Sequence, residues 1–262
     1  MVIDSLRSPD ALPDATRVPA GHMTNPRRII GIQKVRPATA GDCAACPAES
    51  VGLFSGAFRR QRAYLIDGFR IVQVAPQETL YGLGDTAEYV FLMRYGLMKL
   101  VRYSAAGDER IVRLAGKGDT FGLEALSAKS YRHTAVALGE AALCRVPAQV
   151  ILGQEKSDPR FVERVMTVMQ AELDSADLFL TELSTGGAHT RVARLLLYLA
   201  EREDGRECLL PMRDEIGALL GITMETASRV TAEFRRSGLI RPAADPQRVA
   251  LDLPGLTSLA SG

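Results

Sequence analysis

The sequence lacks long apolar runs, an N-terminal signal segment and an excess of either charge. Its 262 residues include 32 Lys and Arg against 31 Asp and Glu, for a net charge of +1, and no Trp. No apolar stretch approaches the ~20 residues that a membrane helix needs, and the N-terminus has neither the basic start nor the apolar core of a signal peptide. We therefore expect a cytoplasmic protein without membrane contact. Because the whole chain is nearly neutral, any surface that binds nucleic acid has to be local to one domain.

Histidines are also few, and the common catalytic motifs are missing. The three histidines, His22, His133 and His189, do not stand at the spacing of zinc ligands. The sequence contains no nucleophile elbow, and no Gly-rich phosphate loop precedes a helical segment. We therefore expect no catalytic residues and no enzyme.

Cysteines are scarce as well. The four are Cys43, Cys46, Cys144 and Cys208. In a reducing compartment, structural disulfides are not expected. The only close pair is Cys43-Ala-Ala-Cys46, and Cys208 is interpreted as an ordinary residue.

The chain divides into segments that differ in composition and in the spacing of their apolar residues. Residues 1 to 42 are rich in Pro, Ala, Asp and Arg without a sustained period, which predicts a mostly disordered extension. From Phe69 to Val146, short apolar stretches alternate with turn residues such as Gly96, Gly107 and Gly118. This pattern predicts an antiparallel β-sandwich or β-barrel.

Residues 158 to 184 change to a helical period. Apolar residues recur there by alternating steps of four and three, as at the contact positions of a coiled coil. These seam residues are Val162, Met166, Met169, Leu173, Ala176, Leu180 and Leu183. We expect the helix to form a homodimer, and a second apolar set (Phe161, Val165, Val168 and Phe179) to face the β-domain. The alternative is a single helix buried against its own domain.

The seam contains no charged residue. Asp174 and Asp177 flank the small Ala176 without entering the repeat. A hypothesis follows that the chain dimerises without its signal, and that the signal reorients the domains beyond the helix.

A helix-turn-helix pattern begins at Arg213. Gly217 allows close helix approach, Gly221 allows the left-handed turn that ends the first helix, and Thr223 is a suitable N-cap for the second. Both helices carry apolar residues at inward spacing: Ile216, Leu219 and Leu220 on the first, Ile222 at the corner, and Ala227, Val230 and Phe234 on the second. Two short apolar stretches, 239–240 and 249–251, predict a small β-wing.

The outward side chains of the second helix suit DNA recognition. An Arg such as Arg229 can donate two hydrogen bonds to guanine, and Glu225 can accept one from the cytosine amino group. Ser228 and Thr226 lie at the same N-terminal end, which reaches base edges in such motifs. Arg235, Arg236 and Arg213 are predicted to meet phosphates. The alternative is a structural hairpin with solvated outward charges.

Together these segments resemble the CRP/FNR family of bacterial transcription regulators over residues 43 to about 255. The specific matches are Gly118-Asp119-Thr-Phe-Gly122 and Glu225-Thr-Ala-Ser-Arg229. The resemblance implies an α+β fold with an N-terminal cyclic-nucleotide-binding-type β-roll, a long dimerisation helix and a C-terminal winged helix-turn-helix. After the extension, the expected domains are 43–156, 157–185 and 186–262. It also implies a homodimer that binds double-stranded DNA and contacts RNA polymerase.

The FNR branch is the more similar one, because its recognition helix carries Glu, Ser and Arg at this spacing. This resemblance implies a symmetric operator with TTGA-like half-sites. Glu225 and Arg229 would read its C·G pair, and Ser228 a neighbouring thymine.

Cyclic AMP is not expected as the ligand. Family members that bind it use a Glu after the Phe-Gly motif and an Arg-Ser pair further on. Here these positions hold Leu123 and His133-Thr134, which replace neither the carboxylate nor the fixed cation. Glu124 and Arg132 lie one residue away and would point elsewhere on a strand.

The FNR oxygen sensors hold an iron–sulfur cluster, and the resemblance implies Cys43, Cys46 and Cys144 as candidate ligands. The family's further Cys is replaced by Gly52, whereas a [4Fe–4S] cluster normally takes four thiolates. Asp42 or Glu49 could supply the missing ligand. A reversible thiol switch and the absence of any redox role remain as alternatives. One alternative function is a small-molecule effector-binding regulator of the same fold with no redox role. The rival functional class is a small-molecule-binding module, or an enzyme, without specific DNA binding.

Overall fold

The first domain is built from two antiparallel β-sheets. The computed structural model describes residues 34–44, 68–104, 107–153, 160–203 and 205–261. One sheet has the strand order β1-β2-β9-β4-β7 and the other β3-β8-β5-β6. The strands are β1 (Lys34–Pro37), β2 (Arg70–Val74), β3 (Thr79–Tyr81), β4 (Tyr89–Tyr95), β5 (Met98–Tyr103), β6 (Glu109–Ala115), β7 (Thr120–Phe121), β8 (Thr134–Ala137) and β9 (Ala141–Pro147). The predicted Gly-punctuated β-domain is confirmed.

Aromatic side chains fill the space between the two sheets. The Tyr81 and Tyr131 rings stack with centroids 3.8 Å apart, and Phe91 stacks on Phe121 at 5.3 Å. Gly122, at φ 75°, lets the chain turn directly over Phe91, whose ring would lie 3.0 Å from an added Cβ. The interior of the roll is therefore a packed aromatic core.

The β-domain begins earlier than the sequence predicted. The extension was expected to run to residue 42, but β1 pairs with β2 in antiparallel register, with Val35 opposite Val72. The four residues of β1 are all exposed, so β1 has no buried apolar face. Backbone pairing with a distant strand holds them, and local pattern does not reveal such pairing. Residues 1–33 lie outside the described part.

Three helices follow or flank the sheets. They are α1 (Ala40–Ala44), α2 (Ala148–Leu152) and α3 (Phe161–Leu178), and α3 continues as a π-helical turn over Phe179–Leu183. Phe161 and Val168 are buried against the β-domain. The predicted seam residues from Val162 to Leu180 are exposed along the opposite face.

Leu183 departs from the predicted seam. Only 1% of it is exposed, whereas 67% of Leu180 is exposed. A π-turn is wider than an α-turn because its hydrogen bonds run from i to i+5, so it changes the phase of the residues near its end. Leu183 therefore packs into the core of its own chain and does not belong to the exposed stripe.

The second domain is a helical unit with a small sheet. It contains α4 (Ala188–Arg202), α5 (Arg213–Leu220), α6 (Met224–Arg236) and α7 (Leu253–Ala260), with β10 (Glu207–Leu209), β11 (Ile240–Pro242) and β12 (Arg248–Leu251). Strands β11 and β12 pair as the predicted wing, and β10 adds to its other edge. One apolar cluster joins Leu97, Ile111 and Leu114 of the β-domain to Ile216 and Leu219 of α5.

No helix within the described ranges is both long and apolar enough to cross a membrane.

Candidate nucleic-acid interface

The corner between α5 and α6 is set by two glycines. Gly221 has φ 64° at the C-cap of α5, a conformation that side chains with a Cβ rarely adopt. An added Cβ on Gly217 would lie 2.8 Å from the Ile222 carbonyl oxygen. Small residues at both positions therefore let the two helices meet at a tight angle.

Thr223 caps the start of α6. Its hydroxyl accepts a hydrogen bond from the Thr226 backbone N–H at 3.2 Å and lies 3.1 Å from the Thr226 hydroxyl. Such a cap stabilises a helix by about 1 kcal/mol. It fixes the first turn of α6, which carries Glu225 and Thr226.

The two faces of α6 differ sharply. Ala227, Val230 and Phe234 are buried at helical spacing in the domain core, as the sequence predicted. The remaining predicted contacts lie together on the exposed side: Glu225, Ser228, Arg229, Arg235 and Arg236. Thr226 is half-buried beside its cap, and Arg213 is partly buried as the first residue of α5.

Glu225 is held in its ionised form. The pKa of Glu225 is lowered by hydrogen bonding to its own backbone N–H and to the Thr223 hydroxyl. The N-terminus of a helix also favours negative charge through its dipole. The carboxylate is thus available as a hydrogen-bond acceptor at the exposed end of α6.

One pair on α6 was missed by sequence reasoning. Glu233 Oε2 lies 2.6 Å from His189 Nε2, which links α6 to the first turn of α4. The pKa of Glu233 is lowered, first by His189 and also by Arg229 and Arg236. The i+4 spacing of Glu233 from Arg229 was a signal in the sequence, but its contact with His189 is tertiary.

Two of the candidate thiols share an apolar environment in the β-domain. Cys43 of α1 and Cys144 of β9 are buried members of one cluster that also contains Phe161 and Val168 of α3. Cys144 lies between Ile71 and Leu92 on the neighbouring strands. Cys46 lies outside the described residues, as do Glu49 and Gly52. Cys208 is buried in the other domain, and burial raises the pKa of its thiol to about 12.

Asp42 has a structural role beside Cys43. Its two carboxylate oxygens each lie 2.6 Å from an Arg36 nitrogen, and Oδ2 accepts further bonds from the Thr39 backbone N–H and hydroxyl. These donors, Arg36 first, hold the pKa of Asp42 well below its ordinary range. The carboxylate is therefore engaged and is a poor candidate for a metal ligand.

The chain matches two family models and several known regulators. A cyclic nucleotide-binding domain matches residues 71–156, and a Crp-like helix-turn-helix domain matches residues 190–259. The chain is similar to the transcriptional activator protein FnrA of Stutzerimonas stutzeri, with 31% identity over 71% of this chain and 78% of that protein. It is also 31% identical to electron transport regulator A of Shewanella oneidensis, over 62% and 68% of the two chains.

A solved structure agrees with these similarities. FixK2 from Bradyrhizobium japonicum superposes with a TM-score of 0.64 at 26% identity, covering 73% of this chain and 97% of that one. The chain belongs to the CRP/FNR family. It is a transcription regulator with a β-roll domain and a helix-turn-helix, and regulators of this family bind DNA and act as dimers.

As a CRP/FNR protein, this chain departs from the family's cyclic-nucleotide site. By the resemblance, Leu123 stands where cyclic-AMP binders have a carboxylate. The neighbouring Glu124 is bound to His133, with Oε1 3.2 Å from His133 Nδ1, and the Thr134 hydroxyl accepts a bond from the Leu83 N–H. Leu123 has no polar side-chain group, and Glu124 and Thr134 have partners within the protein, so these positions do not supply the carboxylate and the fixed cation that cyclic AMP would need.

The iron–sulfur cluster of the FNR branch needs four ligands. Among residues within the described ranges, no three His, Cys, Asp or Glu side chains converge as a metal site. These residues contribute Cys43 and Cys144, while the Asp42 carboxylate is bound to Arg36 and Thr39. The described residues therefore do not provide the four ligands of a complete cluster site.

Proposed function

We propose that this CRP/FNR regulator is a homodimer that binds a palindromic operator with TTGA-type half-sites. Glu225 and Arg229 read the C·G pair of each half-site, and Ser228 contacts the neighbouring thymine. The observation that carries the proposal is the exposed cluster of these three side chains at the N-terminal half of α6. Such a helix end fits the major groove.

The remaining predicted contacts supply affinity without reading sequence. Arg235 and Arg236 are exposed at the far end of α6, and they meet phosphates of the operator. Thr226 and Arg213 complete the set of proposed DNA contacts, and both side chains are less exposed than those of Arg235 and Arg236. Phosphate contacts fix the register of a protein on DNA.

A second copy of this chain covers the exposed stripe of α3. Five seam side chains are between 51% and 67% exposed in the single chain: Val162, Met166, Met169, Leu173 and Leu180. Apolar residues repeated with a 3.5-residue period pack against an equivalent helix. Ala176 completes the seam, and a symmetric pair of these helices would place the two recognition helices symmetrically on a palindrome.

The base-reading part of the proposal is tested with Arg229→Ala. We expect a loss of about 1–3 kcal/mol in binding free energy, with relaxed preference at the C·G pair, because a bidentate guanine contact is removed. Fluorescence anisotropy on the palindrome and on a duplex with that pair replaced measures both effects. Arg102→Ala is the control, since Arg102 lies on β5 in the other domain. Equal binding of wild type and Arg229→Ala to random and palindromic DNA contradicts a specific regulator.

We propose further that the regulator responds to redox conditions or oxygen through Cys43, Cys46 and Cys144. The shared burial of Cys43, Cys144, Phe161 and Val168 supports this proposal. Chemical change at the thiols alters the packing under α3, and so reaches the dimerisation helix. RNA polymerase is the expected partner once the dimer occupies its operator.

Anaerobic purification tests the redox proposal and separates its two forms. Visible absorption with iron and sulfide analysis detects a cluster, and mass spectrometry of alkylated thiols before and after aerobic exposure detects a thiol switch. Cys208→Ser is the matched control, because Cys208 is buried in the other domain. A colourless, iron-free protein whose thiols stay reduced in air contradicts redox sensing.

A further inference from the structure

A buried ion pair joins the two domains. Lys99 Nζ of β5 lies 2.8 Å from Glu215 Oε1 of α5, with 8% and 3% of the two side chains exposed. The two residues are 116 positions apart in the chain. Lys99 Nζ also lies 3.5 Å from Glu109 Oε1, so Glu215 is the residue left as an uncompensated buried charge when Lys99 is removed, which is strongly destabilising. This contact therefore favours one fixed arrangement of the domains.

Further hydrogen bonds occupy the Glu215 carboxylate. Gln77 Nε2 donates to Oε1 at 3.0 Å, and the Met212 backbone N–H donates to Oε2 at 2.8 Å. Glu215 thus connects the β-domain to the N-terminus of α5 with both oxygens. The Gln77 backbone has φ 63°, a conformation that is uncommon for a residue other than glycine. Strained backbone persists where its surroundings hold it in place.

The ion pair lies at the edge of an apolar interface. Ile111 and Leu114 of β6 belong to the same buried cluster as Ile216 and Leu219 of α5. Beside them, the guanidinium of Arg110 lies against the helix corner, 2.9 Å from where a Cβ on Gly221 would stand. The first helix of the helix-turn-helix, α5, is therefore anchored on the sheet of the β-domain.

In this arrangement of the two domains, the face of α6 that carries the predicted base contacts is not covered by the β-domain. Glu225, Ser228 and Arg229 are all exposed while Glu215 is buried. An inhibitory contact would cover the residues that meet DNA. The docking instead holds α5 and leaves α6 open.

We propose that Lys99 and Glu215 are positioning residues that fix the distance between the two recognition helices of the dimer. This inference rests on the proposed function. Half-sites of a palindrome lie about one helical turn of DNA apart, roughly 34 Å. The two recognition helices of the dimer must therefore be held at that same distance from each other. A flexible junction would have to be ordered on binding, which reduces affinity. The buried pair keeps each recognition helix in a fixed position on the β-domain of its own chain before DNA is bound.

The coupling between the two residues is measurable without DNA. Lys99→Met removes the charge with little change of length, and Glu215→Gln retains an acceptor for the helix cap. In a double-mutant cycle of chemical unfolding at one protomer concentration, we expect a coupling of about tenfold in the equilibrium constant. Lys129→Met is the control, because Lys129 is exposed on the β-domain. A coupling no larger than that between Lys129 and Glu215 overturns the proposal.

The positioning role is tested with palindromes of altered spacing. We expect wild type to lose affinity steeply when one or two base pairs are inserted between half-sites. Lys99→Met should bind the parent palindrome about tenfold more weakly, lose less on insertion, and keep its preference at the C·G pair. An unchanged spacing dependence makes the pair merely structural, and tighter binding makes it inhibitory; either result overturns the proposal. Wild type that fails to distinguish palindromic from random DNA refutes the proposed function, and the unfolding cycle still decides whether the domains are coupled.

Discussion

Glu233 brings a negative charge to the helix that carries Arg229 and Arg236. It lies one turn beyond Arg229, where the phosphates of the proposed operator would repel a carboxylate. Glu233 Oε2 lies 2.6 Å from His189 Nε2, which holds the carboxylate against α4. Because the pKa of Glu233 is lowered in the folded protein, first by His189, the carboxylate remains ionised throughout the neutral range.

Glu233→Gln should therefore raise operator affinity at neutral pH, because it removes a negative charge beside the proposed DNA contacts. The lowered pKa of Glu233 also makes folding depend on pH: its stabilising contribution is present above the ordinary range of Glu and is lost as the pH falls through the lowered value. Operator affinity measured by anisotropy at neutral pH checks the first expectation, and chemical denaturation at several pH values checks the second.

His189→Gln is expected to flatten the pH profile of the free energy of unfolding below the ordinary range of Glu, because it removes the main cause of the lowered pKa of Glu233. His133→Gln serves as the control, because His133 lies in the β-domain. An identical pH profile for wild type and His189→Gln would refute the role given to this pair.

At the scale of elements, α3 separates two kinds of apolar residue. Leu180 is 67% exposed and Leu183 is 1% exposed, although both fit the same seven-residue repeat. The π-turn over Phe179–Leu183 sends the second leucine into the core of its own chain. The two leucines should therefore respond differently to the same substitution.

Leu183→Ala should lower the free energy of unfolding by about 2–5 kcal/mol through loss of buried volume. Leu180→Ala should raise the dimer dissociation constant and leave the unfolding of the monomer nearly unchanged, because a surface substitution usually costs no more than about 0.5 kcal/mol. Sedimentation equilibrium and chemical denaturation over a range of protein concentration separate the two effects. Equal losses from both variants in both measurements would contradict the assignment of the two faces.

At the scale of the whole molecule, the dimer stripe carries no charge that opposes association. Asp174 and Asp177 are exposed beside it, and Asp174 accepts a hydrogen bond from Gln170 at 2.8 Å. The helix-turn-helix is meanwhile held on the β-domain by Lys99 and Glu215. The uncharged stripe favours a dimer that assembles before any signal arrives.

Aerobic, metal-free protein should therefore sediment as a dimer at micromolar concentration. Leu173→Glu, which puts a charge into the stripe, should sediment as a monomer, because burying like charges in a seam is unfavourable. Glu163→Gln is the control, since Glu163 is exposed on α3 outside the repeat. A wild-type monomer under these conditions would make dimerisation depend on the signal.

Local patterns determined most of the helix-turn-helix. The roles of Gly217, Gly221 and Thr223 could be predicted from the sequence, because each role depends only on residues that are close by in the chain. The inward series Ala227, Val230 and Phe234 follows from helical period alone. The outward Glu225, Ser228 and Arg229 are exposed for the same reason, and their contacts with bases stay a prediction.

Tertiary structure decided what depends on residues far apart in the chain. The pairing of β1 with β2 extended the β-domain past its predicted start, and the π-turn removed Leu183 from the seam. The sequence contained a hint of the domain contact, since Lys99 interrupts an apolar strand and Glu215 lies in the first turn of a helix. Only the folded chain brings these two together, because they are 116 positions apart in the chain, and a buried charge without its partner is strongly destabilising.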